Sequence, residues 1–95
     1  MKYHDGSELA LGDIVRVPIP GGYALARVVM LGDSYDHLDI DPVFIHWVLD
    51  KRILRKGAIV VDWIEKNPFE HSDPRYSPVG NFMFTDVDEW IVKAL

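Results

Sequence analysis

GDIVRVPIPGGYALARVV, residues 12–29, has the pattern of two β-strands joined by a glycine turn. Apolar residues recur at alternate positions on both sides of the turn, which is the period of a strand. Gly21 and Gly22 allow the positive φ angles that a tight hairpin needs. Pro18 and Pro20 lack a backbone donor, which suits an edge strand or a bulge. The stretch therefore predicts an antiparallel hairpin.

The predicted register gives the hairpin one wholly apolar face. It pairs Ile19 with Ala24, Val17 with Ala26 and Val15 with Val28. Large side chains then meet small ones, as in the interior of a tight barrel. A slip of one residue would turn every side chain to the other face, so the pattern determines which residues share a face.

On the other face, this register sets Arg16 directly opposite Arg27. Like charges that oppose each other across a ladder are destabilising, so an anion is expected beside them. An acidic side chain of the same chain would serve, and Asp62 is the candidate. An anion from a binding partner is the alternative.

Composition predicts one globular domain over residues 1–95, with an apolar fraction of 48% and 26% charged residues. There is no cysteine, hence no disulfide framework and no thiolate metal site. No segment has the pattern of a signal peptide or the length of a membrane span, so we expect an intracellular chain with no membrane partner. The net charge of −5 argues against a general nucleic-acid binder and suits a basic protein partner.

Upstream of residue 53, the pattern predicts loops around the hairpin and one further element. Residues 1–10 read as a lead-in with one helical turn at residues 7–9, and residues 32–41 as an acidic, turn-rich loop. Asp41-Pro42 resembles a helix start, because aspartate caps and proline suits the first position. We expect residues 42–52 to form a helix, although their β-branched and aromatic residues leave a strand open.

Downstream, residues 58–64 are apolar at nearly every position and predict a strand covered on both faces. Three prolines between residues 67 and 80 predict a long, stiffened loop. A short strand at 81–84 and a C-terminal helix capped at Thr85 complete the expectation. The fold class is mainly β (α+β), a small, strongly bent antiparallel sheet or SH3-like barrel with one or two short helices.

The motifs predict no enzyme, no cofactor and no metal. The aspartates of the acidic loop lack the spacing of a calcium loop, and the histidines form no zinc-type pair. The chain has no phosphate-binding glycine loop and no activated nucleophile. We therefore expect function by binding.

Two loops are the candidate partner-binding segments. The acidic one offers carboxylates to a cationic partner, and the proline-rich one offers aromatic and arginine side chains on a preorganised backbone. A solvated acidic loop, and a proline-rich loop held to the core by Phe69 and Tyr76, are the structural alternatives. The candidate residues are Asp33, Tyr35, Asp36, Asp39, Asp41, Glu70, His71, Asp73, Arg75 and Tyr76.

The hairpin segment resembles the opening of bacterial immunity proteins of the immunity protein 26 family. The matching positions are Gly12, Asp13, Val17, Pro18, Gly22, Tyr23, Ala24, Arg27 and Val28. The family usually has an aromatic residue where this chain has Val15. The resemblance implies a cytoplasmic antitoxin that binds and neutralises the toxic domain of a polymorphic or contact-dependent growth inhibition toxin, with no catalysis and no cofactor.

A nuclease toxin would present a basic cleft to the acidic loop, and we expect the antitoxin itself to be a monomer or weak dimer. The alternative function is a small SH3-like adaptor or regulatory module that binds a peptide or another cellular protein. A third hypothesis, a small-molecule or nucleic-acid binder, would use Arg16, Arg27 and Trp63.

Overall fold

The computed structural model of the protein describes residues 1–64 and 82–94. In these residues the chain forms β1 (Ile14–Ile19), β2 (Gly22–Leu31), α1 (Pro42–Lys51), β3 (Ala58–Trp63), β4 (Phe82–Asp86) and β5 (Val92–Lys93). The strands make one antiparallel sheet in the order β4-β3-β2-β1-β5. The predicted mainly-β class is confirmed, and the sheet is open and not closed into a barrel.

The hairpin forms with a two-residue turn, Pro20-Gly21. Gly21 has a φ of 86°, so proline followed by a positive-φ glycine gives the pattern of a type II turn. The observed pairs are Val15 with Ala26, Arg16 with Leu25, Val17 with Ala24 and Ile19 with Gly22.

The hairpin prediction was therefore right about the faces and wrong about the register, by two residues. A shift of two residues keeps every side chain on its face, so the alternation could not detect it. Its main consequence is that Arg16 lies opposite Leu25, and the expected opposition of two arginines does not occur.

Two apolar cores lie on opposite faces of the sheet. The first core consists of Tyr3, Leu9, Val15, Val17, Ala26, Val28, Ile59, Val61, Trp63 and Ile91. The second core, under α1, consists of Val29, Met30, Phe44, Val48, Leu54, Ala58, Val60 and Phe82. Alternate residues of β3 enter each core, which confirms the prediction of a strand covered on both faces.

An irregularity in β2 allows it to contribute two consecutive residues to the second core. The pairing with β3 shifts between Val28 and Met30, so that one extra residue interrupts the alternation. Val29 and Met30 consequently both pack under α1 and are fully buried.

The helix expected at residues 42–52 is confirmed as α1. The Asp41 side chain accepts a hydrogen bond from the Val43 amide at 2.9 Å, and Pro42 occupies the first helical position. Phe44 and Val48 face the sheet, and the Phe44 ring stacks on Phe82 with centroids 4.2 Å apart. The spacing of these buried residues is that of a helix with one apolar face.

The expected C-terminal helix does not form. Thr85 lies inside β4, which includes residues 82–84 of the strand predicted at 81–84 and continues to Asp86, so Thr85 does not cap a helix. The Asp88 carboxylate accepts a hydrogen bond from the Trp90 amide, which makes a turn, and β5 then pairs with β1. Ile91 is buried in the first core, and its burial holds the following residues, β5, against the edge of β1.

The N-terminal segment packs on the sheet without the expected helical turn. Lys2 and Glu8 form an antiparallel bridge, and the Tyr3 amide donates to the Ser7 carbonyl at 2.9 Å. Tyr3 and Leu9 are buried in the first core. The proline-rich loop expected at residues 67–80 lies outside the described residues. No helix in the described part of the chain has both the length and the apolar character needed to cross a membrane.

Candidate protein-binding surfaces

The acidic loop, residues 32–41, is hydrogen-bonded to the first residue of β3 and to the segment that precedes β3. The Gly32 amide donates to the Ala58 carbonyl at 2.8 Å, and Asp33 Oδ1 accepts from the Gly57 amide at 2.8 Å. The Tyr35 hydroxyl donates to the Leu54 carbonyl at 2.6 Å. These bonds give two of the candidate binding residues, Asp33 and Tyr35, a structural role.

Other candidate residues of this loop also have partners within the chain. The Tyr35 ring lies 5.1 Å from the Arg52 guanidinium, Asp36 accepts from the Ser34 hydroxyl at 3.0 Å, and Asp41 caps α1. Asp39 is exposed. The structure therefore supports part of the structural alternative, while the carboxylates of Asp33, Asp36 and Asp39 still lie at the surface.

The segment between α1 and β3, to which the acidic loop is hydrogen-bonded, carries three exposed cations, Arg52, Arg55 and Lys56. Arg52 lies over the Tyr35 ring, whereas Arg55 pairs with Asp86 at 2.9 Å. The charge of Arg55 is therefore balanced by Asp86 and not by the aspartates of the loop. The remaining candidates, Glu70, His71, Asp73, Arg75 and Tyr76, lie outside the described residues.

A second surface, which the sequence did not single out, lies beside α1 on the same face of the sheet. The open sheet face consists of Arg16, Tyr23, Leu25, Arg27, Ile64 and Val92. Pairing places Arg16 beside Leu25 on one side and Val92 on the other, and the Ile64 amide donates to the Leu25 carbonyl. α1 covers the far half of this face, and no other element in residues 1–64 and 82–94 covers this half.

The apolar side chains of the open sheet face are exposed. The exposed fraction is 57% for Tyr23, 50% for Ile64, 47% for Val92 and 39% for Leu25. Contiguous apolar surface of this kind on a small domain marks an interaction site more often than scattered single residues do.

The two arginines of the open sheet face have different partners. Arg27 pairs in register with Asp62, and its Nη2 lies 3.3 Å from Asp62 Oδ2. The expectation that Asp62 supplies an acid is thus confirmed for Arg27. Both side chains are partly exposed, so this pair contributes at most about 1 kcal/mol to stability.

Arg16 has no carboxylate within ion-pair distance among residues 1–64 and 82–94, and its guanidinium lies over the Tyr23 ring, 4.9 Å from the centroid. Sequence reasoning missed this arrangement because the wrong register placed Arg16 beside Arg27. Pro20-Gly21 was the available signal, since counting outward from a Pro-Gly turn pairs Arg16 with Leu25.

The surface expected for a nucleic-acid or small-molecule binder does not assemble. Trp63 is buried in the first core, on the face opposite Arg16 and Arg27. It therefore offers no stacking platform beside the two arginines.

Within the described ranges, no three histidine or acidic side chains come close enough together to hold a metal ion. The described residues therefore offer two candidate binding surfaces, the acidic loop and the open sheet face, which combines apolar side chains with arginine. Comparisons of this chain with protein-family models, with curated proteins and with solved structures found no match.

Proposed function

We propose that this chain is a cytoplasmic immunity protein that binds and neutralises the toxic domain of a bacterial toxin. The observation that carries the proposal is the open sheet face, where tyrosine, leucine, isoleucine and valine side chains lie exposed around arginines. Tyrosine and arginine are enriched among the residues that dominate binding energy at protein interfaces. Neutralisation by occlusion needs such a surface and no chemistry of its own.

The resemblance to immunity proteins supports the toxin as partner. It covers residues 12–29, which form β1 and most of β2. Four of the six residues of the open sheet face, Arg16, Tyr23, Leu25 and Arg27, lie in that segment. The segment that carries the resemblance is therefore also the one that builds most of the exposed surface.

The charge of the chain favours a basic toxic domain, such as a nuclease. A net charge of −5 attracts a basic partner at long range and raises the rate of encounter. The exposed carboxylates of Asp33, Asp36 and Asp39 add to this attraction.

Co-expression tests the proposal directly. The proposal expects a gene for a toxic domain next to this one, and absence of such a gene would count against it. That domain is induced in a bacterial host, with or without this chain, and growth is followed. We expect this chain to restore growth with that domain and not with an unrelated toxic domain. Failure to protect, together with no complex on size-exclusion chromatography of the two purified proteins, would reject the immunity role and favour the adaptor module.

A second measurement tests the acidic loop as a contact. In Asp33→Asn/Asp36→Asn/Asp39→Asn, the amide oxygens still accept hydrogen bonds while three charges are lost. Stopped-flow association with the toxic domain is expected to slow about three- to tenfold at low salt, with a flatter salt dependence. Asp50→Asn/Asp88→Asn/Glu89→Gln removes three exposed charges elsewhere and is the matched control. Equal slowing in both variants would assign the effect to net charge and not to this loop.

A further inference from the structure

We propose that the open sheet face docks an apolar segment of the partner that carries a carboxylate, and that Arg16 binds this carboxylate. This inference rests on the proposed function, and it names the contact surface and the chemistry of the segment that the surface takes. In this contact the chain supplies a positive charge, Arg16, although its net charge is negative.

Arg16 is held in an orientation suited to this role. Its guanidinium carbon lies over the Tyr23 ring, 4.9 Å from the centroid. The N–H donors of arginine point outward in the plane of the guanidinium, so a contact between its carbon and the ring is compatible with binding both oxygens of a carboxylate. A side chain already ordered by the ring loses less entropy when it binds.

The side chains around Arg16 indicate which residues should flank the carboxylate in the partner segment. Leu25 and Val92 flank it in the two neighbouring strands, and Ile64 lies beyond Leu25. These exposed side chains would be buried by an apolar segment, and burial of the surroundings strengthens the central ion pair by excluding water. The expected ligand is therefore an acidic residue between apolar ones.

The distribution of charge distinguishes the two arginines. Arg27 already has a carboxylate partner within the chain, because Asp62 lies 3.3 Å away. Arg16 makes no ion pair among the described residues. One uncompensated cation suits one carboxylate, whereas a nucleic-acid surface needs several cations along a phosphate backbone.

The first experiment uses the toxic domain. Isothermal titration calorimetry compares Arg16→Glu with Lys2→Glu, which makes the same charge change in the exposed N-terminal segment, outside both candidate surfaces. We expect Arg16→Glu to weaken binding at least about tenfold and Lys2→Glu to leave it within about twofold. Since both variants become more acidic, attraction to a basic toxin at long range would not produce a loss at Arg16 alone. Equal affinity of Arg16→Glu and the parent chain overturns the inference and leaves the immunity role standing.

The second experiment does not depend on the toxin. A peptide of alternating leucine and glutamate, and its leucine–lysine counterpart, are titrated into the isotope-labelled chain and followed by nuclear magnetic resonance. We expect shifts at Arg16, Tyr23 and Leu25 with the acidic peptide only, and their loss in Arg16→Met, which keeps an unbranched stem of similar length. Shifts elsewhere, or equal shifts with both peptides, would contradict the inference, whatever the co-expression result.

Two further measurements test whether the open sheet face binds a second copy of this chain or a nucleic acid instead. Dimerisation in sedimentation experiments that Tyr23→Lys abolishes would assign the face to a second copy of this chain. Retention of a labelled oligonucleotide at low salt, lost in Arg16→Glu, would assign it to nucleic acid. Either result would overturn the proposal.

Discussion

Gly32 determines how closely the acidic loop approaches the turn before β3. A β-carbon at this position would lie 2.5 Å from the Ala58 carbonyl oxygen and closer still to that of Arg55. Both neighbours are backbone atoms, and the Gly32 amide is bonded to one of them, so neither can move aside cheaply. The glycine is required by close approach and not by its φ angle.

Gly32→Ala is therefore expected to destabilise the fold by about 2–3 kcal/mol, because the loop must separate from β3. Urea unfolding measures the change. Gly6→Ala is the control: Gly6 has a φ of 90° but nothing within 4 Å of the added carbon, so only backbone strain of about 1–2 kcal/mol is expected. Equal losses in the two variants would contradict the steric explanation.

Asp13 joins the N-terminal segment to β5. Its Oδ2 accepts from the Tyr3 hydroxyl at 2.7 Å and from the Ala10 amide at 3.0 Å, and Oδ1 lies 3.7 Å from Lys93 Nζ. Burial opposes the charge of Asp13, but the hydrogen bonds from Ala10 and Tyr3 and the charge of Lys93 outweigh it and lower the pKa of the carboxyl. Burial and the same hydrogen bond raise the pKa of the Tyr3 hydroxyl.

Because the pKa of Asp13 is lower in the folded state, the contribution of its carboxylate to the free energy of unfolding depends on pH. This contribution is fully present above the pKa of the unfolded state, about 4, and is lost as the pH falls through the pKa of the folded state. Asp13→Asn is expected to reduce the free energy of unfolding by about 1–2 kcal/mol at pH 7, with the difference from the parent chain shrinking below about pH 4. Urea unfolding across this pH range measures it, and a difference that stays constant down to pH 2 would contradict the assignment.

At the scale of elements, the C-terminal strand closes one edge of the sheet. β5 has only two residues, yet it pairs with β1, and the Ala94 amide extends the ladder to the Ile14 carbonyl at 2.8 Å. Ile91, just before it, is 3% exposed in the first core. The side chain of Ile91 anchors the segment, and the backbone of β5 then covers β1.

Ile91→Ala should accordingly destabilise the protein by about 2–5 kcal/mol, whereas Val92→Ala, at a site 47% exposed, should change the free energy of unfolding by less than about 1 kcal/mol. Thermal and urea unfolding compare the two. Because Val92 belongs to the open sheet face, Val92→Ala should affect partner binding more than stability. A small effect of Ile91→Ala would mean that β5 is not needed for the fold.

At the scale of the whole molecule, the two cores share the strands that separate them. Ile59, Val61 and Trp63 face the first core, while Ala58 and Val60 face the second. Loss of either core would leave one side of β3 exposed, so the cores should unfold together.

Trp47→Phe/Trp90→Phe leaves Trp63 as the reporter of the first core, and far-UV circular dichroism reports α1 over the second. We expect both signals to change at the same urea concentration, because both cores include β3. An earlier loss of the helical signal would show that α1 detaches while the first core persists.

The candidate surfaces differ in how far the sequence could reveal them. The acidic loop is contiguous, so its carboxylates were visible in the sequence. Its hydrogen bonds to Gly57 and Leu54 were not. The open sheet face draws Arg16, Leu25 and Val92 from three strands. No local pattern connects residues so far apart in the chain.

Local chemistry was sufficient for the mainly-β class, for the start of α1 at Asp41-Pro42, and for a β3 that is apolar on both faces. Each of these follows from alternation or capping within a few residues. The register of the hairpin, the strand at Val92 and the exposure of Arg16 were settled only by the tertiary structure. Alternation is unchanged by a slip of two residues, so it cannot determine the register. The pairing of β5 at the sheet edge depends on the burial of Ile91 in the first core, to which residues far apart in the sequence contribute.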